Sequence, residues 1–117
     1  MRTNGLMTGS STLADIPHYG PAEPWIPMTD PVEIAVVGKL GEEANELGKI
    51  CSRSLIQGID GVDPSSGKIN RVALANEIAD VFANAQMAMR RFNLDSDYIM
   101  MRCNAKMDHL KGWHEQL

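Results

Sequence analysis

Residues 30–58 read DPVEIAVVGKLGEEANELGKICSRSLIQG, and this stretch decides the fold. Asp30 is a good N-cap, Pro31 suits the first helical position, and Glu33 stands where a capping box needs it. Apolar residues then recur at Val32, Val36, Leu40, Leu47 and Ile50, which about 100° of turn per residue lays along one helical face. Gly58 can take the left-handed conformation that ends a helix. The spacing therefore predicts an amphipathic helix from Pro31 to about Gln57. A conflict is built into its apolar face. Glu43 falls near the middle of the stripe, and Glu46 lies along one edge, with Glu42 beside them.

The same conflict recurs further on. Asn70 is read as the cap of a second helix reaching about Phe92, with the stripe Leu74, Ile78, Val81, Ala85, Ala88 and Phe92. Glu77 and Asp80 border that stripe, three residues apart and so neighbours on the helix surface. Asn93-Leu94-Asp95 makes a turn. Asp95 or Ser96 then caps a third helix running nearly to the C-terminus, with the stripe Ile99, Cys103, Lys106 or Met107, Leu110 and Trp113. The connection GIDGVDPSSGKIN (58–70) is turn-rich. Its Asp60, Asp63 and Ser65 lack the third acidic position, the glycine spacing and the closing Glu of a calcium loop. No strand-like alternation or internal repeat is visible. The fold class is all-α: a bundle of three main helices over residues 29–117, preceded by an extended arm over residues 1–28. In that arm Pro17, Pro21, Pro24 and Pro27 block regular structure.

Composition narrows the class further. A chain of 117 residues fits one domain. Three helices enclose a thin core, so the bundle is expected to be completed by oligomerisation, as a homodimer or homotetramer. A net charge of −4 disfavours a nucleic-acid polymer as partner, because such proteins concentrate Lys and Arg on one face. Cys51 and Cys103 show no CxxC spacing and read as reduced, buried thiols of a cytoplasmic protein. The N-terminal stretch has no apolar core of a signal peptide, and no run approaches the roughly 18 apolar residues of a membrane span.

The acids carry the chemistry. If the first two helices pack antiparallel, Glu43, Glu46, Glu77 and Asp80 converge on one small volume. Unpaired carboxylates are costly to bury, so the cluster needs compensating cations. Lys39, Lys49, Arg71, Arg102 and Lys106 are available for salt bridges, and a metal ion is the other solution. Hard oxygen ligands suit Mg²⁺ or Mn²⁺ rather than zinc. His18, His109 and His114 form no HExxH pair. A ferritin-like di-iron bundle requires two Glu-x-x-His pairs, whereas the pairs here are Glu-x-x-Glu and Glu-x-x-Asp.

EEANE (42–46) followed by EIAD (77–80) on successive helices resembles the EExxE…ExxD signature of the MazG-like, all-α nucleoside triphosphate pyrophosphohydrolases. The resemblance covers about residues 31–113 and includes the tail RCNAKMDHLKGW (102–113), which is similar to that family's third core helix. It implies that Glu43, Glu46, Glu77 and Asp80 bind Mg²⁺, with Mn²⁺ as a substitute. Glu42 would bind a further metal or orient the attacking water. The substrate would be a nucleoside triphosphate, cleaved to monophosphate and pyrophosphate. Arg102 and Lys106, four apart on one face, are candidates for the phosphates, and Asn84, one turn beyond Asp80, for substrate. Trp25 in the arm is the candidate to stack on the base. Phosphoribosyl-ATP hydrolysis and a non-catalytic nucleotide- or partner-binding module are the alternatives.

Overall fold

The computed structural model describes residues 23–116. Three helices carry the chain: α1 (Pro31–Gln57), α2 (Asn70–Arg91) and α3 (Ser96–Glu115). Among the described residues there is no strand beyond the single antiparallel bridge between Val62 and Ile69. The fold is all-α. No described helix is long and apolar enough to cross a membrane. Residues 23–30 have no regular structure, and Trp25 is 95% exposed. The expected arm before residue 23 lies outside the described residues.

α1 begins as its sequence dictates. The Asp30 carboxylate accepts from the Val32 and Glu33 amides at 2.8 and 3.2 Å, satisfying two of the donors that a helix start leaves free. Those contacts hold the Asp30 carboxyl below its ordinary range. Glu33 does not reach back to close a capping box. It faces Arg91 Nε at 3.5 Å instead, and Arg91 Nη2 donates to Asp30 at 2.9 Å. The end of α2 is thereby tied to the start of α1, and the two helices run antiparallel.

The other end of the hairpin is tied by a polar clip. Asn70 is fully buried, and its amide nitrogen donates to Gln57 Oε1 at 3.0 Å and to the Gly58 carbonyl at 2.9 Å. Its amide oxygen accepts from Arg53 Nε at 2.9 Å. Arg53 also faces Asp63 at 3.7 Å. Asp63 accepts from Ser65 Oγ and the Ser66 amide, which hold its carboxyl down at about 2. Asn70 is therefore not the helix cap that its position suggests: Ile69 occupies the cap without a side-chain bond. The amide is already fully used across the hairpin, and an N-cap would need it to face its own helix.

The apolar core is small. Ile50, Ala73 and Ala88 are the buried apolar residues among those described. Val32 and Ile78, expected in the α1 and α2 stripes, are 54% and 39% exposed. α3, capped by Asp95 at the Tyr98 amide, buries no residue and barely touches α1 or α2. Cys51 and Cys103 are exposed, contrary to the sequence expectation. Cys51 lies on an exposed flank of α1, and Cys103 on a helix that no other described element covers.

Candidate metal centre

The antiparallel register, held by Arg91 at one end and Asn70 at the other, sets the middle of α1 against the middle of α2. Glu43, Glu77 and Asp80 meet there, each offering a carboxylate oxygen within 4.8 Å of the others. Glu43 and Glu77 are half-buried and Asp80 is exposed, so the group lies at the edge of the helix interface with one side open. A helix presents residues three apart on one face, which is why Glu77 and Asp80 arrive together. Glu43 arrives from the apolar stripe itself.

Glu77 is the strained member. Its Oε2 atom is buried and has no hydrogen-bond partner among the described residues. Burial raises its carboxyl above the ordinary value, and the charges of Glu43, Asp80 and Glu46 push it the same way. Lys68, at the end of the clip, opposes the rise only weakly, as the smallest of these influences. No protein cation neutralises Glu77 among the described residues.

The remaining expected residues fall around this centre. Glu46 stands outside the close group and faces Lys49 at 3.6 Å, although its charge is felt at Glu77. Glu42 is exposed and receives a hydrogen bond from Lys39 Nζ at 2.6 Å, while the same ammonium lies 3.7 Å from Glu43. These two acids hold the Lys39 pKa above its ordinary value. The Asn84 side chain turns back to its own helix and donates to the Asp80 carbonyl at 2.8 Å. Arg102 and Lys106 sit on exposed α3, and neither forms an ion pair among the described residues.

A shallow groove of about 470 Å³ adjoins the centre, lined by Pro31, Val32, Ala35, Val36, Lys39, Asn84 and Met87. Sequence reasoning did not find it, because the groove exists only once α1 and α2 are in register. Lys39, one of the cations expected to be available for salt bridges, does pair with the two acids that follow it by three and four residues.

The donor set fits a small hard cation. Three carboxylates converge, one oxygen lacks any partner, and the field favours bringing in positive charge. Thiolate or imidazole ligands that would favour a softer metal are absent from the described cluster. Compared with protein-family models, curated proteins and solved structures, the chain matches none.

Proposed function

We propose that this chain is a Mg²⁺-dependent nucleoside triphosphate pyrophosphohydrolase of the MazG-like type, acting as an assembly of two or four copies. The observation that supports it most is the unpartnered, buried Glu77 oxygen at the meeting point of three carboxylates. Such a cluster is a poor way to hold two helices together, since like charges repel and desolvation adds to the cost. It is a good way to hold a divalent cation.

In this reading Glu43, Glu77 and Asp80 would hold Mg²⁺ or Mn²⁺, with Glu46 joining them when Lys49 releases it. The bound ion would supply charge neutralisation for a triphosphate and acidity to a water molecule. Glu42 accepts the proton of the attacking water. For that it must part from Lys39, whose ammonium is then free for a phosphate oxygen. Water oxygen bonds to the α-phosphorus, the bond from that phosphorus to the bridging oxygen breaks, and pyrophosphate leaves. The groove beside Lys39 and Asn84 takes the nucleoside, with Trp25 stacking on the base. Arg102 and Lys106 contact the phosphate chain once α3 is brought over the cluster.

The test is release of pyrophosphate from a panel of canonical and modified NTPs and dNTPs with Mg²⁺, Mn²⁺ or EDTA. The expected result is metal-dependent, equimolar monophosphate and pyrophosphate from at least one of them, abolished in Glu43→Gln and Asp80→Asn. Normal turnover in both variants would refute the assignment. Turnover of phosphoribosyl-ATP alone would move the substrate, and binding without turnover would make the chain a nucleotide-binding module.

A further inference from the structure

Two lining residues tie the groove to the acid centre. Lys39 precedes Glu43 by four residues and Asn84 follows Asp80 by four, so each stands one helical turn from an acid of the cluster. The rest of the lining, Pro31, Val32, Ala35, Val36 and Met87, leads away from the acids towards the start of α1 and the end of α2. A ligand anchored at the cluster by its phosphates would lay its far end along these residues. The volume of about 470 Å³ falls within the roughly 300–1,000 Å³ of small-molecule sites.

The donors along this groove are already engaged. Pro31 has no amide hydrogen, and the Val32 amide donates to Asp30 Oδ1 at 2.8 Å. The amides of the other lining residues belong to the hydrogen-bond ladders of α1 and α2. The Lys39 ammonium donates to Glu42 at 2.6 Å and lies 3.7 Å from Glu43, and in the proposed reaction it turns to a phosphate oxygen. Asn84 Nδ2 donates to the Asp80 carbonyl at 2.8 Å. A carbonyl oxygen can only accept, so the nitrogen end of the Asn84 amide must be the one that faces it. Oδ1 is left over, and no described residue donates to it. The groove therefore offers an acceptor and no donor.

Such a lining separates ligands by the group they bring to Asn84. An amino group placed there gains a hydrogen bond. A keto oxygen in the same place meets a second acceptor, and the surrounding apolar side chains have no donor to replace the water it gives up. Nucleobases differ in this group: cytosine and adenine carry an amino group where uracil and hypoxanthine carry a keto oxygen. Within each pair the ring shape is nearly the same, so packing on Val36 and Met87 cannot tell the two apart. Asn84 can.

We infer that the groove selects nucleoside triphosphates whose base carries this amino group, with Asn84 Oδ1 as the specificity-determining acceptor. The inference rests on the nucleotide reading of the site proposed above and adds to it the class of base. The lock on Asn84 comes from its own helix, so the acceptor is set before any ligand arrives.

The test compares cytidine with uridine triphosphate, and adenosine with inosine triphosphate, with Mg²⁺ present, by pyrophosphate release and by calorimetric binding. The wild type should favour the amino member of each pair about tenfold in kcat/KM, or in affinity where no turnover is seen, the scale of one hydrogen bond gained and one acceptor left unpaired. Asn84→Ala should bring both ratios to within about twofold of unity while its helical circular dichroism persists, since alanine suits a helix better than asparagine. Turnover or binding without an amino preference in the wild type, or a preference that Asn84→Ala leaves intact, would overturn the base assignment alone. Amino-selective binding without turnover would uphold it and overturn the hydrolysis. Neither turnover nor binding of any of the four would overturn both.

Discussion

Replacing Asn70 with alanine removes the centre of the clip that registers the two acid-bearing helices. The fully buried amide makes three hydrogen bonds across the hairpin, one of them from the Arg53 guanidinium. Net values are about 1 kcal/mol for a neutral bond and about 1.5–3 kcal/mol when one group is charged. Alanine also leaves the Gly58 carbonyl and the Arg53 Nε without this partner. Better helix propensity returns roughly half a kcal/mol. The expected net loss is about 3 kcal/mol, which lowers the melting temperature by roughly 12–20 °C in a domain of this size. Arg71→Ala is the control, because the Arg71–Asp60 pair is exposed and solvent screening leaves such pairs little weight. Thermal and urea unfolding by circular dichroism, at one fixed protein concentration, measures both. An Asn70→Ala loss no larger than that of Arg71→Ala would refute the clip.

Three further outcomes follow from the site. Glu77 has a raised pKa, so the metal-free folded state holds its proton more tightly than the unfolded chain does. Its contribution should make stability fall as pH rises from about 4.5 through the raised value. Glu77→Gln should remove that slope and leave the metal-free fold at least as stable, as pH-dependent melting would show. Asp63 behaves oppositely: held down at about 2, it contributes stability that is complete above 3.8 and lost as pH falls towards 2, and Asp63→Asn should flatten this acid limb. Lys39→Gln takes a positive charge from beside Glu43, so Mn²⁺ affinity should rise about two- to five-fold, the scale of an exposed ion pair, as calorimetric titration would read.

Local physics explains which features were legible in the sequence. Asp30, Pro31, Gly58 and Asp95 act on the ends of α1 and α3, so those ends were readable within a residue or two, and α2 was readable from its apolar period. The meeting of Glu43 with Glu77 and Asp80 was also readable, because it needs only two periodic helices packed antiparallel. Asn70 was misread because its partners, Arg53 and Gln57, lie 17 and 13 residues away and compete with its own helix. Glu46, which the family resemblance adds to the ligand set, lies 3.6 Å from Lys49 and outside the close group of three. The cysteines were misjudged because thiols are usually buried, and the faces that carry Cys51 and Cys103 are exposed among the described residues. The proposed phosphate contacts of Arg102 and Lys106 would need α3 beside the cluster, and periodicity says nothing about where a helix docks.

Direct Mn²⁺ titration of the wild-type protein and Glu77→Gln, by calorimetry and electron paramagnetic resonance, bears most closely on the account. It should give at least one Mn²⁺ per chain in the wild type, displaced by Mg²⁺ and lost in Glu77→Gln while the fold persists. Equal binding by both proteins, or no binding by the wild type at millimolar Mn²⁺, would contradict the assignment of the Glu43–Glu77–Asp80 cluster as a metal centre.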